Sequence, residues 1–466
     1  MINSYNDFIG FRLKFGLMLL SSIAWVTAAR AQNFKLMRYD EDYSVFRDSS
    51  SRFYTGLKFH PLSADKKYYL SIGGEVREEY DAFTNEDWGK NNSGQVNFLL
   101  QRYDLHADWH LGNNVRVFTQ LRSALENGRP TGPRPIDEDK LNIQNLFIDA
   151  SLFKRKNDSL TVRVGRQELN YGAGRLISVR EGPNARLYFT GLKFLYRYKG
   201  LSVDAFAMEA DNVKPGVFDN TPTRQINLWA AYSTLSLDHN KTLELYYIGY
   251  HKYSVIYDAG TGNELRHTIG TRLLKTGKGL TYDIEAAYQF GQFNNGTIDA
   301  WTASFDFGYV FLDLTSQPAI GLRNDYISGN GKNSHGSLQT FNPIYPKGGY
   351  FGFDPQVGPV NLIDIHPYAS IFIAPKVSFL ADIVFNWRYS LNDGIYRPSG
   401  SFNLTGLNSD KRFIGTDYLA KVLYTINPFV SIYFGIQYFV TGSFIDSEIP
   451  NHKNAILTNT RIAFKF

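Results

Sequence analysis

From Leu99 to Leu111 the chain alternates with a period of two. Leu99, Tyr103, Leu105, Ala107, Trp109 and Leu111 take odd positions, and Arg102, Asp104, His106, Asp108 and His110 lie between them. Successive side chains of a strand point to opposite faces, so a strand here has one apolar face and one charged face. The C-terminus repeats the pattern. Ile456, Ile462, Phe464 and Phe466 alternate with Asn459, Arg461 and Lys465, and the last residue is an aromatic on the apolar face.

Eighteen segments of this kind are predicted as strands. They cover 68–80, 96–111, 114–126, 141–153, 159–169, 187–199, 201–209, 225–237, 240–253, 263–275, 279–293, 298–314, 317–329, 361–374, 376–390, 412–426, 429–442 and 455–466. Short connections such as Gly112-Asn113, Lys199-Gly200, Ala374-Pro375 and Asn427-Pro428 alternate with long ones at 81–95, 127–140, 170–186, 210–224, 330–360, 391–411 and 443–454. Two further outer connections, near 254–262 and 291–297, read as middling in length. A soluble sandwich has no reason to gather its long loops at one end. A transmembrane antiparallel up-and-down β-barrel does, with short periplasmic turns and long extracellular loops. Closure also satisfies every backbone group, which hydrocarbon requires.

Composition agrees. There are 31 Tyr and 35 Phe against 4 Met, as expected for strands with aromatic belts, and the mean hydropathy of −0.29 fits a wall whose alternate side chains meet lipid. The absence of cysteine excludes a disulfide framework and a thiolate metal site. A balance of 49 Lys+Arg against 44 Asp+Glu is too even to argue for a nucleic-acid partner.

The N-terminus reads as a secretory signal peptide over residues 1–31. Arg12 and Lys14 precede an apolar run from Phe15 to Val26, and Ala29-Arg30-Ala31 supplies the small residues of a cleavage site before Gln32. That run is well short of the ~20 residues a spanning helix needs. Residues 32–67 then read as a periplasmic segment, a lead-in or a dock for a partner, and 68–466 as the barrel in the outer membrane of a Gram-negative cell.

An eighteen-stranded barrel is wide enough for an aqueous channel. Extending each strand's parity places Arg77, Arg102, Arg116, Arg122, Arg163, Arg197, Arg266, Arg272, Arg323, Arg388 and Arg461 inward, with Glu75, Asp104, Asp108, Glu285, Asp325 and Asp382 on the same face. Part of this set is expected to brace the wall as ion pairs. An excess of arginine is expected to draw anions.

Residues 165–191, "GRQELNYGAGRLISVREGPNARLYFTG", interrupt the strand pattern with Arg166, Glu168, Arg175, Arg180, Glu181 and Arg186. A dinucleotide-binding reading of Gly172-Ala173-Gly174 fails because no helix follows. Gly172, Gly174, Gly182 and Pro183 let the backbone bend sharply, so the loop 170–186 is expected to fold into the mouth and set guanidinium groups along a constriction. Guanidinium pairs with carboxylate through two parallel hydrogen bonds, which suits an acidic sugar.

These residues resemble the signature of the alginate export family of outer-membrane porins. The likeness continues through "GVFDN" (216–220), "RHTIGTRL" (266–273), "YDIEAAYQFG" (282–291), "FNPIYPKGGYFG" (341–352), "GPVNLIDIHP" (358–367) and "FNWRYSLNDGIYRPSG" (385–400). The resemblance implies an eighteen-stranded barrel whose electropositive conduit passes a polyuronate to the exterior, with Arg166, Arg175, Arg180 and Arg186 in the constriction and Arg323 and Arg388 on facing strands. Periplasmic export proteins would then be partners beside outer-membrane lipid. A passive uptake porin for small anionic sugars or organic acids would share the same lining.

Neither an enzyme nor a cofactor or metal site is expected. His106 and His110 share one face, but positions four apart on a strand are separated by about 13 Å, too far to ligate one ion. No nucleophile, base and orienting group come together around the nine histidines. An energised receptor would need ~22 strands and a globular plug.

Overall fold

The alternation is realised as a closed wall. The computed structural model describes residues 34–49, 53–90, 94–332 and 336–466; the signal peptide expected at 1–31 lies outside the described residues. The chain divides into two compact units, 1–41 and 42–466. The described part of the first holds one 3₁₀ turn, Arg38–Asp40, where Arg38 Nε donates to Glu41 Oε1 at 2.8 Å.

The second unit carries eighteen long strands: β1 Tyr68–Thr84, β2 Gln95–Leu111, β3 Val115–Asn127, β4 Asp139–Lys154, β5 Asp158–Gln167 and β6 Phe189–Tyr198, then β7 Leu201–Asn212, β8 Thr221–Asp238, β9 Lys241–Tyr257, β10 Gly260–Lys275, β11 Gly279–Phe293 and β12 Gly296–Val310, and finally β13 Ala319–Ile327, β14 Leu362–Ala374, β15 Val377–Arg388, β16 Phe413–Asn427, β17 Val430–Thr441 and β18 Ala455–Lys465. Each pairs antiparallel with its sequence neighbours, and β1 closes on β18 from Glu75 opposite Lys465 to Thr84 opposite Ile456.

The two faces are inverted relative to a soluble protein. Leu105, Leu245 and Ile320 stand more than half exposed on the outer face, while Arg77, Arg102, Arg122 and Arg266 are at most 2% exposed on the inner one. Only a bilayer makes that arrangement favourable, because lipid receives the apolar face and the enclosed polar groups satisfy one another. Trp109, Trp301, Tyr418 and Tyr438 also lie on the outer face, as interface aromatics do.

The long connections do not all stand in solvent. Residues 168–188, 338–361 and 389–412 turn inward and pack on one another in a single apolar core. Leu176, Ile177, Phe341, Tyr345, Val360, Ile395 and Tyr396 from the loops meet Phe189, Tyr250 and Phe439 from the wall.

The middling outer connections are in fact two-residue turns, Asp258-Ala259 and Asn294-Asn295, because β9–β10 and β11–β12 stay paired up to Tyr257/Gly260 and Phe293/Gly296. Gly260 (φ 129°) and Asn294 (φ 50°) adopt the positive φ that so tight a reversal needs. The length alternation therefore breaks at these two places.

The second unit also folds before its first long strand. A 3₁₀ turn at Ser44–Phe46 precedes a short helix, α1 (Phe53–Lys58), and His60–Pro61 pairs antiparallel with Leu70 and Tyr69. Five aromatics, Tyr43, Phe46, Tyr54, Phe59 and Tyr69, bury against one another here, so this stretch is more than an unstructured lead-in.

Candidate channel lining and lumen loop

Strand parity delivers the arginines inward, and register decides what they meet. Asp104 lies opposite Arg122, Asp149 opposite Arg163, Glu79 opposite Arg461 and Asp306 opposite Arg323. Residues facing each other across antiparallel strands hold their Cβ atoms about 5 Å apart, which suits a direct pair. Arg122 donates to both oxygens of Asp104 at 2.6 and 2.7 Å, and Arg163 to both of Asp149 at 2.7 and 2.8 Å. Arg461 grips Glu79 at 2.8 and 2.9 Å, while Arg323 reaches Asp306 at 2.8 Å. Across the diagonal of their strand pairs, Arg116 holds Asp108 and Arg272 holds Asp283 in the same forked way.

Elsewhere on the wall Arg197 pairs with Asp204 at 2.6 Å and Arg266 with Glu264. Glu75 faces Lys465 at 3.6 Å and Asp382 faces His366 at 3.2 Å. Much of the lining is therefore a set of internal ion pairs. A high arginine count on the inner face does not translate into an equal excess of free positive charge.

The loop at 168–188 is anchored on both sides of the barrel. At one end Asn184 donates its side-chain amide to the carbonyls of Gln101, Leu125 and Asp137 at 2.9 to 3.1 Å, and Arg102 Nη2 donates to the Pro183 carbonyl at 2.6 Å. Around it three guanidinium groups converge on Glu181: Arg102 at 2.8 Å, Arg186 at 3.1 Å and Arg77 at 3.5 Å. Burial works to raise the Glu181 carboxyl, but those guanidinium groups outweigh it and hold the acid well below its ordinary range. Arg186 also pairs with buried Glu168 at 2.9 Å, and Arg166 with Asp211.

At the other end Arg175 donates to Glu285 at 2.9 Å and Asp283 at 3.4 Å on β11. β1 and β11 stand eight strands apart by the shorter way round an eighteen-stranded wall, nearly opposite each other, so the loop crosses the lumen.

Arg180 differs from its neighbours. It adopts a left-handed backbone (φ 54°), and among the described residues its side chain donates only to the Ser399 carbonyl at 3.3 Å, 5.8 Å from the Tyr345 ring. Burial pulls its guanidinium below the usual range, with Tyr345 and Tyr250 offsetting that in part. Arg388 is committed in another way. Its donors meet the carbonyls of Leu391, Asp393, Gly406, Ser409 and Lys411, which ties the loop 389–412 to the end of β15.

A second inward loop completes the crossing and carries no periodic signal in the sequence. The Ser178 amide donates to Tyr345, the Tyr345 amide to Leu176 and the Lys347 amide to Gly174, all at 2.8 or 2.9 Å, so Tyr345 forms a single parallel bridge with Ile177 and Lys347 lies beside Gly174. Next to it Arg175 and Arg323 flank the Tyr350 ring at 5.3 and 5.6 Å, and Arg323 lies 4.3 Å from the Tyr368 ring. Lys347, Arg175, Tyr350, Glu285 and Asp325 line a small recess. Arg180, Lys252, Lys347 and Lys421 close no ion pair among the described residues. Lys347 and Lys421 carry no signal beyond being single lysines; Lys347 stands inside "YPKGGYFG", where glycines and a proline mark a bending backbone.

Among the described residues no group of three or more His, Asp or Glu is placed to hold a metal ion. The model of the family described as alginate export matches residues 68–459. No curated protein matches the chain in sequence. Solved structures share the fold. The OccAB1 channel of Acinetobacter baumannii is 12% identical with a TM-score of 0.58 over 88% of this chain and 99% of that one. A BenF-like porin of Pseudomonas fluorescens is 10% identical with a TM-score of 0.59 over 85% and 98%. OccK2 (OpdF) of Pseudomonas aeruginosa, solved in complex with glucuronate, is 10% identical with a TM-score of 0.56 over 85% and 98%.

Proposed function

Because the chain belongs to the alginate export family of outer-membrane β-barrels, we propose that it is an anion-selective channel carrying an acidic polysaccharide of the polyuronate class out of the cell. Family and fold are those of transport porins rather than enzymes. The observation that carries the proposal is the crossing of the lumen by 168–188 together with the cation–aromatic stack of Arg175, Tyr350, Arg323 and Tyr368 beside it. Aromatic faces suit the apolar side of a sugar ring, and guanidinium groups suit its carboxylate. On this reading Arg77, Arg102, Arg122, Arg163, Arg166, Glu168, Arg175, Arg180, Glu181, Arg186, Arg323, Arg388 and Arg461 form or support the path, and 170–186 is its constriction.

The pairing of the wall also supports transit over tight binding. A guanidinium already held by Asp or Glu meets a passing carboxylate only in competition with its partner, so each contact stays weak and a polyanion can slide. Lys347 and Lys421, with no carboxylate at ion-pair distance among the described residues, supply the net attraction.

A second reading, passive uptake of small uronates or organic acids, draws support from the inward packing of three loops on one another and on the wall. Single-channel recording separates the two. For the polymer conduit, chloride permeates ahead of potassium, and block by oligouronates deepens with chain length. Lys347→Gln with Lys421→Gln relieves that block. Equal block by mono- and oligouronates would favour the uptake porin, and unselective conductance would refute both.

A further inference from the structure

We propose that residues 43–49 and 53–61 form a plug seated inside the periplasmic mouth, an autoinhibitory element that must leave before a polymeric cargo can enter. The chain reverses just before β1. His60 and Pro61 pair antiparallel with Leu70 and Tyr69, and the Leu62 amide donates to the Tyr68 carbonyl at 2.7 Å. Helix α1 is thereby directed back along β1 instead of away into the periplasm.

Its side chains identify the face on which it lies. A Cβ built on Gly73 would come within 2.4 Å of Lys58 Nζ and 2.7 Å of the His106 ring, and Gly73 and His106 both belong to the inner face. The Lys58 ammonium is buried and sits 4.5 Å from the Tyr43 ring, with the Tyr54 ring at 5.9 Å. Phe59 stacks on Tyr69 at 4.4 Å, and Tyr69 on His110 at 4.1 Å, again inner-face residues at the foot of β1 and β2. Tyr54 meets Phe429, in the β16–β17 turn, edge to face at 5.1 Å. Asp42 lies within electrostatic reach of His110 and Arg116. The segment is thus inside the wall, bridging β1–β2 and β16–β17.

Its attachment suits an element that comes and goes. Its backbone pairs with β1 at His60 and Pro61, its tether from Lys66 to the Arg47 carbonyl and Asp48 is exposed, and Val45 and Phe53 remain 69% and 87% exposed. Elements held by a few solvent-reachable bonds open at the low end of a protein's stability range.

Planar-bilayer conductance of three forms of the chain tests this. Deleting residues 42–59 is expected to raise unitary conductance roughly twofold or more, as a wider lumen conducts more. Gly73→Leu, which fills the space of the Lys58 ammonium while leaving the segment's own sequence unchanged, is expected to do the same. Tyr54→Cys with Phe429→Cys in this otherwise cysteine-free chain, joined by a short thiol-reactive cross-linker, is expected to stay at the low level. Heat-modifiable migration on gels reports a folded barrel in each case. A folded deletion variant with the conductance of the full chain would overturn the proposal, whatever the behaviour of Gly73→Leu.

Discussion

Glu181→Gln isolates the charge balance of the lumen loop. The carboxylate is held by Arg102 at 2.8 Å, Arg186 at 3.1 Å and Arg77 at 3.5 Å, and its side chain keeps 31% exposure. Breaking a fully buried pair by removing one partner costs about 3–5 kcal/mol; with a third of Glu181 exposed, screening reduces that to ~1–3 kcal/mol. Arg186 keeps Glu168 as a partner, and Arg77 keeps Glu79 on β1 at 3.7 Å, so the loop stays seated while one positive charge is uncovered. A unit charge about 8 Å from a permeating ion contributes between ~0.5 kcal/mol in water and ~2 kcal/mol near a protein surface. Taking ~1 kcal/mol, the chloride-to-potassium permeability ratio rises about fivefold.

Reversal potentials under a tenfold KCl gradient measure that ratio directly. Acidity supplies an internal control. The Glu181 carboxyl titrates well below its unfolded counterpart, so the stability it contributes is complete above the ordinary value of 4.5 and is lost only as pH falls through the lower folded value. Selectivity of the parent channel should therefore stay flat from about pH 8 to about pH 5, as far as this group sets it, and move toward that of Glu181→Gln only in stronger acid. An unchanged or reduced anion preference in Glu181→Gln, with the barrel folded, would refute the placement of this cluster beside the permeation path.

Other substitutions separate lining from scaffolding. Arg175→Gln removes a cation and frees the far end of the loop from Glu285 and Asp283, so anion preference and oligouronate block should both fall severalfold in bilayer recordings. Asn184→Ala strands three backbone carbonyls at the near end, at about 1–3 kcal/mol, and should appear as faster current fluctuations with little change in ion preference. Arg388→Ala removes the donors that gather the carbonyls of 389–412; protease sensitivity of that loop should rise while the permeability ratio holds.

The barrel is legible in the sequence because its physics is local. One face meets lipid and the other encloses polar groups, so a two-residue period survives along every strand, and Leu99–Leu111 announces itself without any knowledge of its neighbours. Strand ends are less legible. β1 continues past residue 80 to Thr84 because Asp81 and Phe83 stay on the buried inner face, a circumstance set by distant loops. The inward course of 338–361 cannot be read from the sequence at all. Its anchors are backbone pairs between Tyr345 and Leu176 or Ser178, residues with no shared periodicity and far apart in the chain.

The same distinction explains why counting arginines overstates the field in the lumen. Parity assigns a side chain to a face, but a charge acts on a permeating ion only as far as its neighbours leave it uncompensated. Arg122 and Asp104 are 18 residues apart, and nothing in either strand alone says that register sets them side by side. Once it does, the pair braces the wall and contributes mainly a dipole. Selectivity then falls to cations that register leaves without a carboxylate at ion-pair distance among the described residues; Arg180, Lys252, Lys347 and Lys421 are four of these, while Arg388, also without one, is committed to backbone carbonyls. Two of the four, Lys252 and Lys421, are single lysines on strands, and neutralising either should shift reversal potential more than neutralising both members of a forked pair at once, as Arg163→Gln with Asp149→Asn does. If the double exchange of Arg163 and Asp149 moved it further than Lys421→Gln, the paired wall and not the uncompensated lysines would set the selectivity.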